Sequence, residues 1–524
     1  MAGGLLNLVS NGSQNIIMYG NPQKTYWSSA YKQITNFGLQ NFRLDYDGLR
    51  ELQLNTDTIY NFKVKRYAEL LKDTFLVINL PDIYSPLYQS EIPYEFKWIK
   101  NIGAMMIRSI RFTIGGSLIQ HITGHDIVAL ANRDLTSTEK AKWDDMTGNV
   151  PELYNPSSYH NNLYPNAVYQ STSTYLTNGS EPSIRGRQLR VPLPIWWALN
   201  AQQAFPLVCL QYNELHIEVT LRPIHDLFQM CDVTGIQPTS VIAPVFTNPA
   251  HQFYLFLQSP PETLSKYSKI TSWNEETHLS CTYCFLSEEE AYLFASKEQR
   301  YLIREIYNSW YYDVSVTDKI WLQNSTDLVL NWMLLFQRSD ITNRNEWSNF
   351  TNWPYDYLPV DVSAYTTPNG DEIYIQPSYA VENQKDILLT MGISLDGMTR
   401  EEMRPASVYK YEQQYLTSRG GGYLNLSGLY TYNFCLKTDP FSLQPSGAMN
   451  LSKYSNIELE FVTITPTLNS NALYYSICNP LTGESVGVNK QTNIYNYTFN
   501  LLVIEERYNV LTFIGGNAGL MNAR

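Results

Sequence analysis

Residues 429–461 contain Leu429-Tyr-Thr-Tyr-Asn-Phe-Cys-Leu436, then Leu443-Gln-Pro-Ser-Gly-Ala-Met-Asn-Leu-Ser452, then Ile457-Glu-Leu-Glu-Phe461. The outer stretches alternate in polarity, as strands with one buried face do. The phrase between them is made of turn residues. Pro445 fixes φ, Gly447 tolerates a positive φ, and Ser446 and Asn450 carry side chains that bond back to the main chain. Two half-buried strands joined through a turn are the mark of antiparallel sheets.

The same period recurs elsewhere. Leu215, Ile217, Val219 and Leu221 fall on one side of a stretch whose other side is His216, Glu218 and Thr220. Tyr497, Phe499, Leu501 and Val503 repeat it. Leu328-Val-Leu-Asn-Trp-Met-Leu-Leu-Phe336 is apolar on both sides and predicts a central strand. Helical stretches are few. Ser287-Glu-Glu-Glu-Ala-Tyr-Leu-Phe-Ala295 predicts a helix with Ser287 as N-cap and Glu290 closing a capping box. Asp126–Ala131 predicts a second, shorter one. Many strands, short helices and frequent Pro and Gly predict an all-β protein of sandwiches or barrels.

The 524 residues suffice for two or more cores, and 44% are hydrophobic. Charged residues make up 16%, against roughly 25% in an average soluble chain. Forty tyrosines join abundant Asn, Ser and Thr, a composition suited to strands and to large protein contacts. The net charge is −12 and the pI about 5.2. Arg185-Gly-Arg187-Gln-Leu-Arg190 and Lys63-Val-Lys65-Arg66 are the densest basic stretches, too short for a nucleic-acid surface, so no direct nucleic-acid binding is expected. Leu5–Val9 is too short for a secretory leader, Gly3 is out of place for myristoylation, and no apolar run reaches the ~18 residues of a membrane span. Six scattered cysteines (209, 231, 281, 284, 435, 478) fit a reducing compartment, mostly as small buried side chains.

The chain also repeats itself faintly. Ile114-Gly-Gly-Ser117 lies between a strand and a short helix, and Leu395-Asp-Gly397 lies similarly in the second half. Each half opens and closes on strands around a long polar insertion, about 136–190 and 338–380. Two similar tandem domains follow: an arm at 1–24, a first domain at 25–225, a linker at 226–272, a second domain at 273–513 and a tail at 514–524.

The residues that could carry catalysis or bind metal read as structural. His121 and His125 have metal-pair spacing, but Gly124 interrupts a helix there and no acidic base lies between them. Cys281 and Cys284 form a lone C-x-x-C in a strand, which turns the two sulfurs to opposite faces. Arg419-Gly-Gly-Gly-Tyr423 lacks the Lys-Ser/Thr of a phosphate cradle. A nucleophile elbow, a P-loop and the histidine cluster of metal-binding jelly rolls are all missing from the sequence. No catalytic, cofactor or metal residue is expected.

Phrases spread over residues 1–520 resemble the major capsid protein of the nucleocytoplasmic large DNA viruses. They are Met1-Ala-Gly-Gly-Leu-Leu-Asn-Leu-Val9; Gly20-Asn-Pro-Gln23 with Tyr26, Trp27, Tyr31 and Thr35-Asn-Phe37; Ile114-Gly-Gly116; Leu193-Pro-Ile-Trp-Trp197 with Phe205-Pro-Leu207; Phe285–Ala295 with Tyr301-Leu-Ile303; the Gln444-Pro-Ser-Gly447 phrase; and Tyr508-Asn-Val-Leu511 with Gly515-Gly516. Leu395-Asp-Gly-Met-Thr-Arg400 departs from the family's usual wording, and the insertions find no counterpart.

The resemblance implies a double jelly roll, two tandem eight-stranded jelly rolls, acting as a structural protein. It implies homotrimers that form pseudo-hexagonal capsomers and tile an icosahedral shell, with the arm running beneath it. Minor capsid and penton proteins and an inner membrane are the implied partners. The virion, assembled in host cytoplasm, is the implied location. A minor or vertex component of the same fold and a carbohydrate-binding jelly roll are the alternatives. Among the Asn-x-Ser/Thr sequons, Asn178 and Asn349 fall in the insertions and are the expected exposed candidates for glycosylation.

Overall fold

Alternation becomes one-sided burial where the strands form. Leu215–Leu221 buries Leu215, Ile217, Val219 and Leu221 and leaves the residues between them half-buried, and Ile457–Thr463 repeats the pattern. The computed structural model describes the chain except residues 1–2, 11, 30, 49, 86–93, 157–181, 233–240, 260–263, 324, 326, 354–362, 367–371, 376–383, 422–425, 467–473, 479–484, 491–496 and 523–524. At 94, 231–232, 363–366, 372–375, 474–478 and 485–490 it describes the backbone alone.

The first half contributes β1 (Phe37–Leu44), β2 (Thr58–Lys63), β3 (Leu70–Asn79), β4 (Tyr94–Trp98), β5 (Ile107–Ile114), β6 (Ser117–Ile122), β7 (Gln188–Pro192), β8 (Phe205–Pro206), β9 (Leu215–Leu221), β10 (Phe228–Asp232) and β11 (His278–Leu286). One sheet runs β1-β11-β3-β7, with β8 beside β3, and the other runs β2-β9-β5-β6. The second half contributes β12 (Gln299–Val314), β13 (Thr317–Trp321), β14 (Leu328–Arg338), β15 (Ser363–Thr366), β16 (Glu372–Ile375), β17 (Leu388–Leu395), β18 (Met398–Pro405), β19 (Leu429–Asn433), β20 (Met449–Asn450), β21 (Ile457–Thr463), β22 (Tyr474–Cys478), β23 (Ser485–Lys490), β24 (Phe499–Ile514) and β25 (Asn517–Leu520). Its sheets run β12-β24-β14-β19 and β13-β21-β17-β18. β4–β10, β15–β16 and β22–β23 are separate two-stranded ribbons.

Leaving aside these ribbons and the short edge strands β8, β20 and β25, each half has eight principal strands. Numbered within its own half, each gives sheets ordered 1-8-3-6 and 2-7-4-5. This order is the jelly roll. The faint sequence repeat is therefore a strict topological one. Ile114-Gly-Gly-Ser117 and Leu395-Asp-Gly-Met398 are the same hairpin, strand four to strand five, in the two rolls. Both turns need positive φ at two positions: Gly115 (56°) and Gly116 (85°), Asp396 (48°) and Gly397 (79°).

β14 explains why its sequence is apolar on both sides. Trp332, Leu334 and Phe336 join the interior of the second roll. Met333 and Leu335, on the opposite face, join the core that extends from the first roll. Leu501 and Val503 of β24 point one way, and Leu502 and Ile504 the other. The centre of this sheet, β14 and β24, is thus buried on both faces, by its own roll and by its neighbour.

Three expectations change. β11, expected to open the second domain, pairs with β1 and β3 and closes the first roll. The seam therefore falls after residue 286, because β11 is the eighth strand of the first roll and lies between β1 and β3 in its sheet. The expected linker at 226–272 contains β10 and three 3₁₀ turns, and Phe228, Met230, Phe253 and Phe256 are core residues. The 136–190 insertion opens with a helix, Ser137–Thr147, capped reciprocally by Thr136 and Glu139. Ser287 does stand at the N-cap of the Glu288–Ser296 helix, but its side chain makes no capping bond, so the expected capping box does not form.

Candidate assembly interface

The contact between the rolls is built from the first turn of one helix. Thr123 accepts from the Asp126 backbone N–H, and Asp126 Oδ2 accepts from the Thr123 backbone N–H at 2.7 Å, closing a capping box for Gly124–Asp134. Gly124 is required there. A Cβ would lie 2.4 Å from the Ala104 carbonyl oxygen and 2.6 Å from that of Ile107. The helix starts wedged against the first roll and delivers Arg133 to the seam at its far end.

Arg133 is fully buried. Its Nε and Nη2 donate side by side to the two Asp134 carboxylate oxygens, each at 2.8 Å. Its Nη1 crosses to the second roll, donating to Glu506 Oε2 and, at 3.1 Å, to Asn331 Oδ1. Burial pushes the Glu506 carboxyl up, but the Arg133 and Arg304 guanidiniums outweigh it and hold the group below its ordinary value. Asn308 Nδ2 of β12 makes a second polar link, donating to Asp126 Oδ2 at 2.8 Å. Burial raises the Asp126 carboxyl to about 6, against the bonds from Thr123 and Asn308. Arg304 donates to the carbonyls of Thr438 and Asp439, both at 2.8 Å, tying β12 to the loop before the Gln444-Pro-Ser-Gly447 phrase. With the shared apolar core, these bonds make the two rolls a single block.

Exposed apolar side chains are concentrated in the stretch before β1, the arm taken through residue 36. Its helical turns Gly3–Val9 and Ile16–Tyr19 bury no residue. Ile17 is 93% and Trp27 96% exposed, and Leu8, Met18, Tyr26, Tyr31 and Ile34 are exposed beside them. So dense a run of exposed apolar side chains marks an interaction segment.

The Gln444-Pro-Ser-Gly447 turn folds as its residues dictate. Gly447 has φ 135°. Ser446 Oγ donates to the Lys437 carbonyl at 2.8 Å and accepts from the Lys437 N–H at 3.0 Å. Asn450 Oδ1 accepts from the Ser452 N–H at 3.1 Å. The flanking strands β19 and β21 do not pair; the phrase carries the chain from one sheet to the other.

The residues weighed for chemistry lie apart. His121 sits on β6, and His125 lies in the first turn of the next helix, against Trp310 and Phe350. Burial and Arg222 push His125 down to about 3, so it is a neutral ring in the seam. Cys281 belongs to the main core and Cys284 to a small cluster on the other face of β11. Burial pushes the Cys281 thiol up to about 12. Among the described residues no three of His, Cys, Asp and Glu gather as metal ligands. Asn178 lies outside the described residues. Asn349 was expected to be exposed and is instead buried, its Nδ2 donating to the Trp353 carbonyl at 2.9 Å while Oδ1 accepts from Thr351. Sequence reasoning missed the seam. The Thr123-Gly-His-Asp126 and Thr136-Ser-Thr-Glu139 spacings were the available signal for its two helices.

Residues 25–254 match the family model described as "Major capsid protein N-terminus". The major capsid protein of Phaeocystis pouchetii virus is 24% identical, the match covering 99% of each chain. Capsid protein 1 of Acanthamoeba polyphaga mimivirus is 28% identical over 223 residues, 42% of this chain and 35% of that protein. Among solved structures, the quasi-atomic model of the PBCV-1 virus capsid superposes with a TM-score of 0.61 at 17% identity, covering 95% of this chain and all of that one.

Proposed function

We propose that the chain is a double jelly-roll member of the major capsid proteins of nucleocytoplasmic large DNA viruses and the shell-building subunit of a large double-stranded DNA virus, a structural protein and not an enzyme. The observation that carries the proposal is the pairing of two rolls of identical strand order across a fully buried, charge-linked seam. A block of two equivalent lobes offers six similar sides when three copies meet around a threefold axis. Homotrimeric, pseudo-hexagonal capsomers follow, and such hexagons tile an icosahedral shell. Contacts within the trimer are heterologous and close after three copies.

We assign the exposed apolar arm to contacts outside the subunit's own fold, with neighbouring capsomers, minor capsid and penton proteins, or a membrane beneath the shell. The unit of folding we assign is arm, first roll through β11, second roll through β24, and tail. The virion is the proposed location and host cytoplasm the proposed place of assembly. Of the two proposed sugar positions, Asn178 rests on its sequon, and Asn349 requires its buried amide to be released first.

The test is the solution mass of the purified chain by light scattering, with negative-stain images of the same sample. A particle of three times 60.4 kDa with a hexagonal outline supports the proposal. A stable monomer at micromolar concentration contradicts it.

A further inference from the structure

A recess of about 200 Å³ lies between the rolls, close to the Arg133 network. Leu130 of the Gly124–Asp134 helix, Trp196 and Leu199 after β7, Ile306 of β12 and Phe441 form its walls, which are predominantly apolar. An apolar cavity of about 150 Å³ already takes up benzene-sized molecules, and small-molecule pockets favour domain interfaces.

Asp73, Thr74, Gln120, Asp134, Arg304 and Glu506 bring polar groups to the lining, and two buried polar atoms there, Trp196 Nε1 and Gln120 Oε1, have no partner. Gln120 of β6 is 4% exposed and lines the recess. Its Nε2 donates weakly across the seam to the Arg304 carbonyl at 3.4 Å, and its Oε1 has no partner. Turning the amide over would set oxygen against the Arg304 carbonyl oxygen, so the free group is an acceptor. A buried carbonyl oxygen without a donor is unfavourable, and a ligand hydroxyl relieves it.

We propose that this recess binds a compact apolar molecule bearing one hydroxyl, a phenol or a short alkanol. The hydroxyl donates to Gln120 Oε1, and the body packs against Leu130, Trp196 and Ile306. Because the walls come from both rolls, occupancy strengthens the seam by mass action. This inference is independent of the shell-building role.

The test titrates the full-length chain with phenol and with toluene, its counterpart without the hydroxyl, followed by calorimetry and ligand-observed NMR. Phenol binds more tightly than toluene. Gln120→Leu weakens phenol about fivefold, the scale of one neutral hydrogen bond, and leaves toluene unchanged. Ala198→Phe, which fills the recess, removes both. If that variant loses its native circular dichroism, Leu199→Phe replaces it. Equal affinity for the two probes, equal loss of both in Gln120→Leu, undiminished binding to the filled variant, or no phenol binding at millimolar concentration each overturn the proposal.

Discussion

Arg133 carries a full charge where water has no access. Such a group is tolerated only because each face of the guanidinium fork is bonded. Arg133→Met leaves the Asp134 and Glu506 carboxylates buried without the cation they bond, with the Arg304 charge still nearby, and the expected cost is about 3–5 kcal/mol. The urea midpoint falls accordingly, and Arg133→Met combined with Glu506→Gln recovers part of the loss. Asp126 provides a pH-dependent counterpart. Its carboxyl stands at about 6 in the fold against 3.8 ordinarily, so the folded chain holds the proton more tightly. That contribution is fully present below about pH 4 and is lost as pH rises through 6, up to about 3 kcal/mol. Asp126→Asn keeps an acceptor for Thr123 and Asn308 and removes the dependence. Its stability relative to the parent should therefore rise between pH 4 and 7. Asp340 acts in the opposite sense, because Arg338 and Arg344 outweigh its burial and hold it low. The measurement is therefore the difference between variant and parent, not the parent's curve alone. None of this was legible in sequence. Arg133 and Glu506 lie 373 residues apart, and nothing in either neighbourhood marks them as partners.

At the scale of elements, two helices that look alike in sequence differ in how their first turns are held. Thr123 and Asp126 form a complete capping box, while Ser287 caps the Glu288–Ser296 helix in position only. Thr123→Ala should cost about 1 kcal/mol, and Ser287→Ala a few tenths at most, both read from denaturation midpoints. The contrast also explains what sequence could and could not give. Strand periodicity at 215–221 and 457–463 was legible because one face of each strand meets a core and the other does not. The doubly apolar β14 was legible as central, but not why, since its second face is covered by another roll. β11 was placed in the wrong roll because its neighbours in sequence belong to the second domain while its partners β1 and β3 lie more than 190 residues upstream. Apolar clusters without a period, such as Phe253–Leu255, read as linker although they pack in the core.

For the whole molecule, the division between a closed block and an open arm governs behaviour. The two rolls meet their own needs: their cores are buried, their charges at the seam are paired, and their sheets share a common topology. The arm before β1 contributes nothing to that interior, since neither of its helical turns buries a residue. Its apolar side chains therefore represent unspent driving force, at roughly 25 cal/mol for each Å² that a partner covers. Removing residues 1–36 should leave the thermal midpoint within about 2 °C of the full chain, because no core contact is lost. Binding of an apolar dye should drop, and species larger than the capsomer should disappear from sedimentation profiles. A large fall in the midpoint would instead make the arm part of the fold. Unchanged large species would put the driving force for assembly on the flanks of the rolls. The arm is short and flexible in composition, so if it docks as proposed its ordering entropy is lost only then. On the proposed shell-building role, that cost would keep each contact weak and let a growing shell release a misplaced block and try again.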